Sequence, residues 1–225
     1  MDWTAQVDGY CERMAPGLWA EPWNAVTNLA FIVAAVIMWR RCRGMPMGQG
    51  LAAVLFMIGL GSGLFHTLAT RWAGVADVLP ILGFVLLYIF AANRDFWRLR
   101  VWPALILTVL YIPYTATLAP VFAQVPGIGN SAAYAPLPVL ILVYAALLFR
   151  RAPELARGLA IGAGLLILSI AARAADGPTC AATAGQGTHF LWHLLNALML
   201  GWMIEVWRRH ALQQGQGGAK PVRDH

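Results

Sequence analysis

Seven apolar runs, each near the length of a membrane-crossing helix, constrain this chain more than anything else in it. A helix needs about 20 mostly apolar residues to cross the hydrocarbon of a bilayer. Such runs lie roughly at Asn24–Trp39, Leu51–Thr70, Val75–Asn93, Val101–Ala119, Ala132–Phe149, Leu155–Arg173 and His189–Trp207. Pro103 and Pro113 fall inside the fourth, where neighbouring helices can satisfy the backbone groups that a proline frees. Composition closes off the alternatives, because 60% of the residues are apolar and only 12% are charged. Soluble domains run near ~45–50% apolar and ~25% charged. Disorder fails on the same comparison, and three cysteines are too few for a disulfide-rich secreted scaffold. The expectation is an all-α membrane protein. Residues 1–23 form an extracytoplasmic segment, 24–209 a seven-helix domain, and 210–225 a cytoplasmic tail without fixed structure.

Arginine placement sets the orientation. With loops assigned alternately to two sides, the N-terminal side receives only Arg13, Arg71 and Arg173. The other side receives thirteen basic residues, in groups around Arg41, Arg98, Arg151 and Arg208 and in the tail. That bias puts the N-terminus outside and the C-terminus in the cytoplasm. The net charge of +6 is therefore an orientation signal and a contact for acidic lipid headgroups, not a nucleic-acid surface. The first 23 residues carry four acidic residues and no apolar core, so no cleavable signal peptide is expected and the first span inserts itself. One lysine against 15 arginines hints at a GC-rich bacterial genome and an inner membrane.

Ionisable groups inside a membrane are costly and mark candidate sites. Four stand out: His66 in the second span, Asp77 opening the third, and His189 with His193 opening the seventh. Span two runs outward, so His66 lies ~6 Å below its outer end. Spans three and seven start outside, so all four groups share the outer layer. His189 and His193 are four apart on one helix face. With a third histidine they leave three protein ligands and an open position, the pattern of catalytic zinc. Ser62, four before His66, faces the same way, either as a contact between helices or as a donor near the metal.

The N-terminal segment gathers Asp8, Glu12 and Glu21. Acidic oxygens without imidazole or thiolate suit a hard cation such as calcium; a solvated acidic terminus is the other reading. Asn24, Thr27 and Asn28 share a face of span one, where they could equally be contacts between helices. Cys11 and Cys180 both fall outside, where disulfides are permitted, whereas Cys42 lies beside the cytoplasmic arginines. A Cys11–Cys180 bond is expected, with two unpaired thiols as the alternative.

Three motifs carry a family resemblance along the whole chain. They are YCER and AEPWNAVTN between Tyr10 and Asn28, SGLFH from Ser62 to His66 with Asp77 eleven residues on, and HFLWH from His189 to His193. Together they resemble the alkaline ceramidases and the wider seven-helix hydrolase superfamily that includes the adiponectin receptors. The resemblance implies zinc held by His66, His189 and His193, with Ser62 and Asp77 completing the catalytic site. It also implies calcium in the N-terminal segment, on Glu12, Glu21 and the backbone of Tyr10, with Asp8 as the acidic starter. Here the segment departs from the family pattern: Asp8 comes one residue early, the two glutamates are two residues closer, and Met14 stands at a family asparagine. The paired outer cysteines resemble a disulfide of the same branch.

The expected activity is hydrolysis of the amide of ceramide or a related N-acyl lipid, giving a fatty acid and a sphingoid base. Zinc can bring the pKa of bound water to ~7, and the amide of such a lipid lies just below headgroup level, at the depth of the site. Asp77 would carry the proton and Ser62 would steady the oxyanion. A retinal protein would need a buried lysine, and the only lysine is Lys220 in the tail. A bis-histidine haem would leave one histidine, Asp77 and Ser62 without roles. A receptor or sensor with a structural zinc and no turnover is the main rival. Partners are the bilayer and its lipids, with no nucleic acid; chain-length preference and oligomeric state are not encoded in any motif.

Overall fold

The computed structural model describes residues 2–7 and 9–218, of which 216–218 are described by backbone alone. These residues are helical throughout, apart from turns and one isolated bridge between Gln6 and Thr70. The α-helices are α1 (Pro22–Thr27), α2 (Leu29–Arg41), α3 (Pro46–Leu68), α4 (Arg71–Asp95), α5 (Val101–Val109), α6 (Tyr111–Phe122), α7 (Pro136–Leu148), α8 (Pro153–Ala175) and α9 (His189–Gly218). A 3-10 turn at Gly129–Ala133 leads into α7. They combine into seven stretches long and apolar enough to cross a membrane, α1 with α2 and α5 with α6 each making one.

Both interruptions have local causes. Between α1 and α2, the Asn24 carbonyl accepts the Asn28 side-chain amide at 2.7 Å and the Thr27 hydroxyl at 3.2 Å. Such side-chain bonds draw a backbone carbonyl away from the helical ladder. Between α5 and α6, Pro113 has no N–H to offer the carbonyl of Val109, the last residue of α5. The other departure from expectation is at the C-terminus. Residues 210–218, expected as an unstructured tail, continue α9. His210 packs edge-on against Phe96 at 5.2 Å, and the Arg98 guanidinium donates to Gln214, so this end of the helix is held against the bundle.

The spans form a ring in chain order. α2 packs on α3, α3 on α4, α4 on α5, α6 on α7, α7 on α8 and α8 on α9, and α9 closes the ring on α2. Leu51, Leu55, Ile58, Leu148, Leu159 and Ile204 fill the middle, fully buried. Val33, Ile37, Ile106, Val109 and Leu168 point outward, as an apolar solvent requires. Small residues allow the closest approaches: Gly158 and Gly162 of α8 lie against Val206 and Met203 of α9.

One end of the ring is tied by the N-terminal segment. Arg71 and Trp72, the first residues of α4, donate their backbone amides to the carbonyls of Ala5 and Trp3 at 3.1 Å each. Those amides would otherwise be orphaned at a helix start. Cys11 is disulfide-bonded to Cys180 in the loop before α9, in agreement with the expected pairing. The opposite end carries the arginine groups, and there Glu205 of α9 pairs with Arg41, Arg208 and Arg209.

Candidate metal centre

His66 lies in the last turn of α3, and His189 and His193 lie in the first two turns of α9. All three are buried, at 0%, 1% and 1% exposure. A ligand nitrogen from each lies within 4.8 Å of the other two, making a group placed to hold one metal ion. Among the described residues, three buried ring nitrogens have no hydrogen-bond partner: His66 Nε2, His189 Nδ1 and His193 Nε2. Buried polar atoms are rarely left unsatisfied, and a shared cation explains three at once.

The tautomers agree. Glu21 Oε2 lies 2.6 Å from His66 Nδ1. A carboxylate only accepts, so Nδ1 carries the hydrogen and Nε2 is left with its lone pair. The Thr27 hydroxyl lies 2.9 Å from His193 Nδ1 and 2.7 Å from the Trp23 carbonyl. Its one hydrogen goes to the carbonyl, so its oxygen accepts from Nδ1 and again leaves Nε2 free. These are the partners that fix imidazole orientation around a metal. The Tyr10 ring stacks on His189 with centroids 3.8 Å apart and shields it on one side.

Two groups set the position of α9. Asp176, past the end of α8, accepts the backbone amides of Thr188 and His189 on Oδ1 at 2.8 and 2.9 Å. Its Oδ2 accepts the Cys11 amide at 2.9 Å, so one carboxylate caps the helix and ties it to the N-terminal segment. Gly187 must be glycine here: its φ is +68°, and a Cβ would overlap the Asp176 carboxylate. Arg173 is held among the Tyr10, Tyr134 and Trp192 rings, 5.3–5.9 Å from their centroids, and donates to the Ser131 hydroxyl at 3.0 Å.

Ser62 and Asp77 line one cavity of about 220 Å3 beneath the histidines, with Phe31, Ile58, Trp192 and Leu200 among its apolar walls. Asp77 Oδ1 is buried and has no hydrogen-bond partner among the described residues. The approach of α3 to α4 at this level depends on Gly61, where any Cβ would run into the Ala76 carbonyl. That carbonyl is the one freed by Pro80 inside α4.

The residues expected to bind calcium are occupied otherwise. Glu12 accepts the backbone amides of Trp23 and Asn24 at 2.7 and 2.8 Å, one on each oxygen. Glu21 accepts Arg13 on Oε1 at 2.6 Å, and Asn24 and His66 on Oε2. Burial works against ionisation of Glu21, but the hydrogen bonds from His66, Asn24 and Arg13 prevail and hold its pKa below the usual carboxylate range. The Tyr10 carbonyl accepts the Arg13 amide at 3.2 Å. Asp8 lies outside the described residues. The described carboxylates of this segment thus each accept at least two hydrogen bonds from the protein. Sequence reasoning missed Arg13, Asp176 and Arg173 as parts of this region, and it left Thr27 without a role beyond a possible contact between helices.

The architecture and the site define a class: a seven-helix membrane protein with three buried histidines that could hold a metal ion and a cavity walled mostly by apolar side chains. The family model described as Ceramidase matches residues 2–217, and the chain belongs to that family. No curated protein matches it.

Proposed function

We propose that this protein is a zinc-dependent amide hydrolase that cleaves the N-acyl bond of ceramide or a related N-acyl lipid. The products are a fatty acid and a sphingoid base or similar amine. The observation that carries the reading is the convergence of three unpartnered imidazole nitrogens near a cavity lined by the unpartnered Asp77 oxygen. Neutral imidazoles with an open position suit zinc. When bound, the ion supplies Lewis acidity that activates water at neutral pH and polarises a carbonyl.

The chain's own residues do the rest. His66, His189 and His193 hold the ion, with Glu21 and Thr27 fixing the first and the third. Asp77 accepts a proton from the attacking water and returns it to the leaving amine. Ser62 donates a hydrogen bond to the oxyanion that develops at the carbonyl. The apolar cavity takes hydrocarbon next to the scissile amide and keeps bulk water away. The asymmetry of the arginines supports an orientation with the histidine end in the outer leaflet and the Glu205 end in the cytoplasm. In a bacterium this is the periplasmic face of the inner membrane.

Metal analysis tests the centre: about one zinc per chain is expected, lost in His193→Ala with helical content retained. Incubation with a panel of N-acyl lipids should release fatty acid, and Asp77→Ala should abolish release while keeping the zinc. Zinc without turnover on any lipid would instead make the protein a receptor or sensor with a structural ion.

A further inference from the structure

We infer that the Arg13 guanidinium is the resident cation of the N-terminal acidic cluster, so that this chain takes no calcium there. Arg13 is buried, its side chain 5% exposed, and it gathers oxygens from three places. Its Nε donates to Glu21 Oε1 at 2.6 Å, one terminal nitrogen donates to the Gly17 carbonyl at 3.3 Å, and the other donates to the His66 carbonyl at 3.2 Å. A carboxylate oxygen with two backbone carbonyls is a donor set of the kind a hard divalent ion selects. Here a planar guanidinium takes it with directed hydrogen bonds.

The described glutamates of the cluster are consistent with this assignment. Glu12 has both oxygens on backbone amides, and Glu21 has both oxygens on Arg13, Asn24 and His66. A calcium ion would have to compete with the buried guanidinium for Glu21 Oε1. It would also place two positive charges beside the one already there. Met14, at the position of a family asparagine, is 80% exposed and offers no oxygen from its side chain. The loss of one neutral ligand and the inward turn of the neighbouring Arg13 thus go together. The guanidinium ties the N-terminal segment to the last turn of α3 through the His66 carbonyl, beside the metal centre.

The test uses the full-length, zinc-loaded protein in detergent and two readouts that do not depend on turnover. Its failure is therefore separable from failure of the hydrolase reading. Unfolding is followed by tryptophan fluorescence in metal-scavenged buffer with and without about 1 mM CaCl2, and bound 45Ca is counted after gel filtration. A site with a Kd near ~10 μM would raise the midpoint by several degrees under these conditions. The expected result is a shift below about 1 °C and no retained 45Ca. Arg13→Gln should lower the midpoint by about 6 °C or more, because it leaves buried acidic groups without their cation. One 45Ca bound per chain, a calcium-induced rise in the unmodified protein, or an Arg13→Gln protein with an unchanged midpoint would each overturn the assignment. The calcium arms need no variant and stand even if Arg13→Gln does not fold.

Discussion

At the scale of single residues, the metal centre is a problem of hydrogen placement. An imidazole presents a lone pair only from the nitrogen without a hydrogen, so the atom touching the other nitrogen decides whether a buried histidine can bind metal. Glu21 makes that decision for His66 and Thr27 for His193. Glu21→Gln should therefore weaken zinc binding by about 10–100-fold, read from competition with a calibrated chelator. Thr27→Val should act in the same direction but more weakly, because it removes a neutral acceptor. Part of the histidine group was legible in the sequence because His189 and His193, like Ser62 and His66, are spaced at one helical turn, and a turn is a local geometry. Their partners were not legible, because Glu21 reaches His66 across 45 residues of chain, and no periodicity spans that distance.

At the scale of elements, the site depends on where α9 begins and how closely α3 and α4 approach. Asp176 satisfies amides at the start of α9 and also holds Cys11. Asp176→Ala should cost about 2 kcal/mol or more and lower the midpoint by about 4 °C or more. Metal content should fall with it, since His189 is the first residue of the capped helix. Adding even a methyl at Gly61 should drive α3 from α4, separating Ser62 from Asp77 while leaving the histidines in place. The expected readout for Gly61→Ala is a loss of fatty-acid release larger than the loss of zinc. Span existence was legible from hydropathy, because an apolar solvent imposes length and composition together. The break at Leu110 was only half legible: Pro113 was visible, but whether the chain tolerates it by bending or by splitting depends on packing. The continuation of α9 beyond Trp207 was hidden, because its support comes from Phe96 and Arg98 on another part of the ring.

At the scale of the whole molecule, ring closure in chain order brings the second and seventh spans together and leaves a lined cavity between the histidines and the middle of the bundle. Filling that cavity should separate substrate fit from metal binding. Leu82→Trp should keep zinc but reduce kcat/KM on long-chain N-acyl substrates by about tenfold or more, with a smaller effect on short-chain ones. Equal loss on both would mean that acyl chains do not lie there. The whole-chain family resemblance was readable from the three motifs, and the family match covers residues 2–217. On the assignment proposed above, the calcium implied by that resemblance does not carry over, because the residue between Glu12 and Met14 is an arginine that turns inward.

The histidines also sit far apart along the order of synthesis. Two of the three belong to α9, the seventh of the described spans in order of synthesis. A chain stalled after the sixth span would own a single donor and could not retain the ion. An ion held by all three would therefore be taken up only after α9 had joined the other spans.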